Sequence, residues 1–141
     1  MGVPAQAQLS AGLPMPESMP QALAQALARH SPLVVMVSLP GCPFCKIARE
    51  NYLTPLTRAG DLSVVQLDMR NQQPVVGFDG VRQTQDQLVR AWKVKVAPTV
   101  LFFGPGGVEV AARLEGGYIP DFYGFYLDER VQAARAAIAR H

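Results

Sequence analysis

Residues 33–49 read LVVMVSLPGCPFCKIAR, and the way this stretch divides decides the fold. Leu33–Val37 is an apolar run that reads as a buried strand, and Ser38–Gly41 reads as a turn. Cys42-Pro43-Phe44-Cys45 follows, and then an amphipathic run with helical spacing. A Cys-x-x-Cys pair placed where a strand hands over to a helix is a redox motif with a mechanism behind it. Cys42 falls at the helix N-terminus, where unpaired backbone N–H groups and the helix dipole favour a thiolate. Pro43 suits the first helical position, because its fixed φ fits a helix and its missing N–H is not needed there. Cys45, one turn later, lies close enough to close a disulfide with Cys42. The pattern predicts a nucleophilic thiol, Cys42, with a resolving thiol, Cys45, beside it.

Strand, turn, CPFC and helix together resemble the active site of the thioredoxin superfamily. A second segment far downstream, Trp92-Lys93-Val94-Lys95-Val96-Ala97-Pro98-Thr99, resembles that family's x-Pro-Thr segment, which carries a cis-proline facing the two cysteines. The resemblance runs from Leu33 to the C-terminus, with an insertion in the middle. It implies a thioredoxin-like α/β fold in one domain, with three α/β/α layers and a mixed central sheet. It also implies a cis bond at Pro98, although on its own Pro98 has a plainer reading as an ordinary strand-start proline. A cis bond there turns the backbone of Ala97 outward to pair with an extended substrate strand. Ala97 and Pro98, with Pro43 and Phe44 between the cysteines, form the expected substrate-binding set.

Two departures from the family pattern concern the resolving thiol. Many members bury a carboxylate in the strand before CxxC, where it takes the proton of the second cysteine. The matching position, six before Cys42, is Met36 here, and the lysine that often accompanies the acid is Gln66. Deprotonation of Cys45 then falls to water or another group, with Glu115, Tyr118 and Asp121 as candidates by proximity to the turns. Phe44 is expected to pack over the disulfide and offers a thiolate neither hydrogen bond nor charge. Activation of Cys42 therefore rests on the helix terminus, with Lys46 as a minor aid.

The rest of the chain fits one domain. Its 141 residues suffice for a single core, and 49% apolar with 17% charged residues is ordinary for a globular protein. A net charge of +2 without a basic run leaves no case for nucleic acid. No apolar stretch approaches the roughly 20 residues of a membrane helix. Two cysteines in one CxxC are no stapling framework, and a zinc site normally wants four ligands. His30 and His141 lack ligand spacing to the pair, so no metal site is expected. Met1–Glu17 reads as a flexible lead-in poor in groups to bury. Ala5-Gln6-Ala7 has the form of a signal-peptidase site with no hydrophobic region before it. The reading adopted is that an export signal has been removed and Met1-Gly2 added; the plainer alternative is a low-complexity tail.

From Ser18 onward the domain divides cleanly. Ser18 caps a helix over Met19–Arg29. The helix after CxxC is expected to kink or break near Leu53, because Pro55 interrupts it. Leu62–Asp68 alternates as a strand. Residues 71–83 form the insertion, with Asp79-Gly80 turning a small hairpin. Thr84 and Gln87 make a capping box for a short helix through Trp92, with Leu88, Ala91 and Trp92 inward. Thr99–Phe103 and Val108–Leu114 flank a glycine-rich turn as an antiparallel hairpin. Gly116-Gly117 ends the sheet, and Pro120-Asp121 opens a last helix with Tyr123, Leu127, Val131, Ala134 and Ile138 on one stripe.

These readings predict a small thiol–disulfide oxidoreductase that reduces protein disulfides through Cys42 and Cys45 with no organic or metal cofactor. The chain is most similar to the small periplasmic thioredoxins of sulfur-oxidation and cytochrome-maturation systems. That likeness implies a periplasmic monomer whose partners are protein thiols and disulfides, fed by a membrane electron donor. Three alternatives remain: a disulfide-forming oxidase, a cytoplasmic glutathione-dependent enzyme of glutaredoxin type, and a non-enzymatic CxxC carrier of metal or thiol.

Overall fold

The computed structural model describes residues 12–60, 62–116 and 120–140, the side chains of Pro120 and Asp121 excepted. In chain order its elements are α1 (Met19–Ala28), β1 (Leu33–Ser38), α2 (Pro43–Ile47), a π-helical segment (Ala48–Leu53) and α3 (Thr54–Arg58). There follow β2 (Ser63–Asp68), β3 (Pro74–Val76), β4 (Arg82–Thr84), α4 (Gln85–Ala91), β5 (Thr99–Gly104), β6 (Val108–Glu109), β7 (Leu114–Glu115) and α5 (Pro120–Ala139).

The main sheet grows from β1, which is buried at every position. β2 pairs with it in parallel, from Leu33 opposite Ser63 to Ser38 opposite Asp68. β5 pairs on the other side, antiparallel, with Met36 opposite Val100. β6 and β7 both pair with β5, so the sheet is mixed, in the order β2-β1-β5-β6. Alternation along these strands sends two sets of side chains to opposite faces. Val34, Met36, Val64, Val100 and Phe102 pack with Cys45, Ala48, Leu53 and the buried stripe of α5. Val35, Val37, Leu67, Leu101 and Phe103 pack with Met19 and Leu23 of α1 and Leu88 and Val89 of α4. Three layers result, with the CxxC helix on the face shared with α5.

Several local expectations resolve differently. The helix after CxxC does not end at Pro55. It widens into the π segment, where the Thr54 N–H donates to the Arg49 carbonyl five residues back. Pro55, lacking an N–H, then enters the next helical turn. Ala91 is exposed; Gln85, Leu88 and Val89 are the buried positions of α4. Trp92 is half-buried and packs against Phe78 and Phe103. The second hairpin strand is two short strands rather than one. Between them the Val110 N–H still donates to the Phe102 carbonyl, and Arg113 donates to the Glu109 carboxylate and to the Trp92 carbonyl. Within the lead-in, Leu13 is 3% exposed. β2 is a sheet edge with unpaired backbone groups, and the Pro14 carbonyl accepts the Gln66 N–H at 2.8 Å. Ala5-Gln6-Ala7 and His141 lie outside the described residues.

The insertion is a two-stranded hairpin, β3 against β4, that delivers the chain to the N-terminus of α4. There the Gln87 N–H donates to Thr84 Oγ1 and the Thr84 N–H donates to Gln87 Oε1, each at 3.0 Å. Thr84→Ala should lower the unfolding free energy by about 1 kcal/mol. The change reads as a lower urea midpoint at an unchanged m-value; an unmoved midpoint would mean that the cap contributes nothing.

Candidate active site

β1 ends at Ser38, and the turn that follows brings Cys42 to the start of α2 as its N-cap residue, in extended conformation (φ −94°, ψ 111°). The Cys42 N–H donates to the Leu39 carbonyl at 3.2 Å, which fixes the turn. Pro43 takes the first helical position. The Cys45 N–H then points back and donates to Cys42 Sγ at 3.2 Å. Cys42 and Cys45 form a disulfide, with their Cα atoms 5.2 Å apart. Their environments differ sharply: Cys42 is half-buried, whereas Cys45 is 1% exposed.

The second predicted segment arrives from across the fold. Ala97–Pro98 is a cis peptide bond just before β5. Cys42 Sγ lies 3.8 Å from the Ala97 carbonyl oxygen, a distance at which the reduced thiol can donate. Thr99 Oγ1 donates to the Val96 carbonyl at 2.7 Å, and the Gly116 N–H donates to the Pro98 carbonyl at 2.7 Å. Pro98 itself is buried and Ala97 half-buried. Phe44, expected over the disulfide, leaves 46% of its surface exposed; Ile47 and Val96 are likewise exposed. Lys46 is exposed at the same rim.

Beneath the cysteines, Met36 is fully buried in the apolar cluster that contains Cys45, and Cys42 packs against that cluster. Its partner across the β1–β2 pairing is Gln66. Tyr123 belongs to the same cluster and packs against Tyr52 at 5.2 Å between ring centroids. Burial pushes the Tyr123 phenol up, and Tyr52 adds to the shift. It stays neutral at physiological pH and offers no base. Of the groups named for the Cys45 proton, Glu115 is exposed on β7, opposite Thr99. Tyr118 and the side chain of Asp121 lie outside the described residues.

Two functional candidates escaped the sequence reading. A cleft of about 520 Å³ opens beside the disulfide, lined by Gly41, Cys42, Lys46, Arg49, Gln66 and Asp68. Arg49 reaches it from the π segment and Asp68 from the end of β2. Gln66 Nε2 donates to Asp68 Oδ1 at 2.9 Å, and Arg49 Nη1 donates to Gln66 Oε1 at 3.4 Å. A signal for Asp68 was present. It ends β2, at the carboxyl end of two parallel strands, where sites on α/β sheets gather. Among the described residues no group of three or more His, Cys, Asp or Glu side chains is placed to hold a metal, and no helix is long and apolar enough to cross a membrane.

A thioredoxin-like domain profile matches residues 19–126. No curated protein matches the sequence. Among solved structures the chain is similar to oxidised thioredoxin O2 from Arabidopsis thaliana, at 17% identity and TM-score 0.54 over 86% of this chain and 97% of that one. It is similar to oxidised mitochondrial thioredoxin 3 from Saccharomyces cerevisiae, at 16% identity and TM-score 0.56 over 85% and 93%. It is also similar to the DsbH oxidoreductase, at 22% identity and TM-score 0.56 over 91% and 88%.

The burial of Met36 beside Cys45 sets a test of the strand register. Met36→Asp should cost on the order of 1–3 kcal/mol of stability, because a polar group is buried without a designed partner. Burial raises the new carboxyl's pKa, so the folded state holds its proton longer than the unfolded state does. The deficit should therefore be smallest near pH 4 and grow as pH rises through the raised folded pKa. Urea midpoints across pH check this, and a pH-independent deficit would place the residue elsewhere.

Proposed function

The chain belongs to the thioredoxin-like domain family, and on that premise we propose that it reduces protein disulfides outside the cytoplasm. The observation that carries the reading is the asymmetry of the pair: Cys42 half-open at a helix start, Cys45 sealed behind it. In the dithiol state, the Cys42 thiolate is stabilised by the Cys45 N–H and the helix terminus. It attacks one sulfur of a substrate disulfide, and the other substrate sulfur leaves as a thiolate. Cys45 then attacks Cys42 Sγ, which forms the Cys42–Cys45 disulfide and releases the second substrate thiol. Two electrons pass from the dithiol to the substrate without an organic or metal cofactor.

An extended substrate segment would pair with the Ala97 backbone beside Cys42, and the exposed Phe44 ring, with Pro43, would face it across the groove. Position 44 also bears on direction. A histidine there would stabilise the thiolate and make the pair oxidising, whereas phenylalanine does neither and favours a reductant. The insertion supports the same direction, since it is a short hairpin and not the large helical insert of disulfide-forming oxidases. The remaining parts of the reading follow the family resemblance: a periplasmic monomer, similar to the sulfur-oxidation thioredoxins, recharged by a membrane donor. Cell fractionation of the natural precursor tests the location, and recovery with cytoplasmic markers would refute it.

Cys45→Ser should trap substrates as mixed disulfides on Cys42, because the second step has lost its nucleophile. Non-reducing gels should show these adducts, and Cys42→Ser should show none. Equilibration of the pair with glutathione should give a potential nearer the about −270 mV of thioredoxins than the about −120 mV of strong oxidases. A value near the oxidase end would reverse the proposed direction.

A further inference from the structure

Cys45 cannot attack as a thiol. A free cysteine has a pKa of about 8.5, and burial among apolar groups raises it further. Among the described residues its surroundings offer no base, since Met36, Ala48 and Leu53 carry no titratable group and Tyr123 stays neutral. The slot where a carboxylate would lie beneath the pair is filled by methionine. A route for the proton opens at the partner sulfur, in the cleft lined by Cys42, the residue to which Cys45 bonds.

Among the described residues, that cleft is lined by a single carboxylate, Asp68. Three contacts hold it in place. Its Oδ1 accepts from Gln66 Nε2, Gln66 Oε1 accepts from Arg49 Nη1, and its own backbone N–H donates to Gln85 Oε1 at 2.9 Å. Gln66 and Gln85 are 4% and 2% exposed, so neither anchor is a mobile surface amide. Oδ2 keeps no protein partner among the described residues. We propose that Asp68 is the proton acceptor for Cys45, working through water in the cleft, with Gln66 and Arg49 as its positioning residues. The proposal rests on the oxidoreductase reading above and adds to it the missing base.

In the mixed disulfide, the Cys45 thiol gives its proton to water in the cleft, which passes a proton to the Asp68 carboxylate. The Cys45 sulfur bonds to Cys42 Sγ, the Cys42–substrate S–S bond breaks, and the substrate sulfur leaves with the electron pair. Asp68 then returns its proton to solvent or to the departing thiolate. The charged groups facing Asp68 are Lys46 and Arg49 across the cleft. β1 contributes none along Leu33–Ser38. From the α4 side, Asp86 is engaged by Arg90 and by the Arg70 N–H. Arg58 of α3, which also packs on β2, is exposed.

A purely structural tie between β2 and α4 would make the same hydrogen bonds, so the test must read the proton. Reduced protein is mixed with a chromogenic aryl disulfide bearing two nitrobenzoate groups. The first coloured thiolate reports attack by Cys42, and the second reports resolution by Cys45. Release of the first by wild type tests the oxidoreductase reading alone. For Asp68→Asn, the second phase is read against the first phase of the same trace. The second should slow about 10-fold or more near pH 6.5 and converge on wild type near pH 9.5, where hydroxide replaces the lost base. Asp68→Glu should restore the wild-type profile, and Gln66→Leu should slow the same phase less. A second phase in Asp68→Asn that parallels wild type at every pH would overturn the proposal, whatever the variant's stability.

Discussion

The hydrogen bond from the Cys45 N–H to Cys42 Sγ depends on nearly everything else in the fold being in place. It exists only if Cys42 is the last residue before the helix and Cys45 lies in its first turn. That in turn requires β1 to end at Ser38 and the Cys42 N–H to close back on the Leu39 carbonyl. β1 is held from both sides, by β2 in parallel and β5 antiparallel, so its end is fixed in three dimensions. β5 also carries the Ala97–Pro98 bond to within 3.8 Å of the same sulfur. One donor aimed at one sulfur therefore records the register of three strands.

Burial then divides two chemically identical side chains into different roles. Both cysteines carry the same thiol, but α5 and the upper face of the sheet close over Cys45 and leave Cys42 at the rim. An exposed sulfur with a backbone donor suits attack on an incoming disulfide. A sealed sulfur reacts only with what is already bound to its neighbour, which protects the resolving step from side reactions. The apolar seal has a cost, because among its described residues the interior that shields Cys45 provides nothing to remove its proton. The polar row of Arg49, Gln66 and Asp68 lies at the edge of that seal, facing the cleft and not the core.

Much of this was legible in the sequence because short-range rules govern it. The apolar run of β1, the CxxC at a strand-to-helix junction and the Thr84–Gln87 capping box each declare themselves within a few residues. The alternation that sorts Val34 and Met36 from Val35 and Val37 is likewise local, and it sets the three layers. What was not legible depends on tertiary partners. Pro55 forecast a kink or break near Leu53, and the chain instead passes through a π segment in which the Thr54 N–H donates to the Arg49 carbonyl. Leu13 lay in a stretch that reads as low-complexity, yet it is buried in the core cluster, next to the Pro14 carbonyl that bonds the β2 edge. Asp68 and Arg49 are ordinary charges in sequence, separated by a helix and a loop, and become neighbours of Cys42 only when β2 pairs with β1.

The account stands on Cys42 being the ionised, attacking sulfur and Cys45 the protected one. Alkylation of the reduced protein by iodoacetamide across pH, with peptide mapping of each site, tests this most directly. Cys42 should label first, with an inflection below the free-thiol value of about 8.5, while Cys45 stays unlabelled until the protein unfolds. Equal labelling of the two sites, or a Cys42 inflection at or above that value, would contradict it.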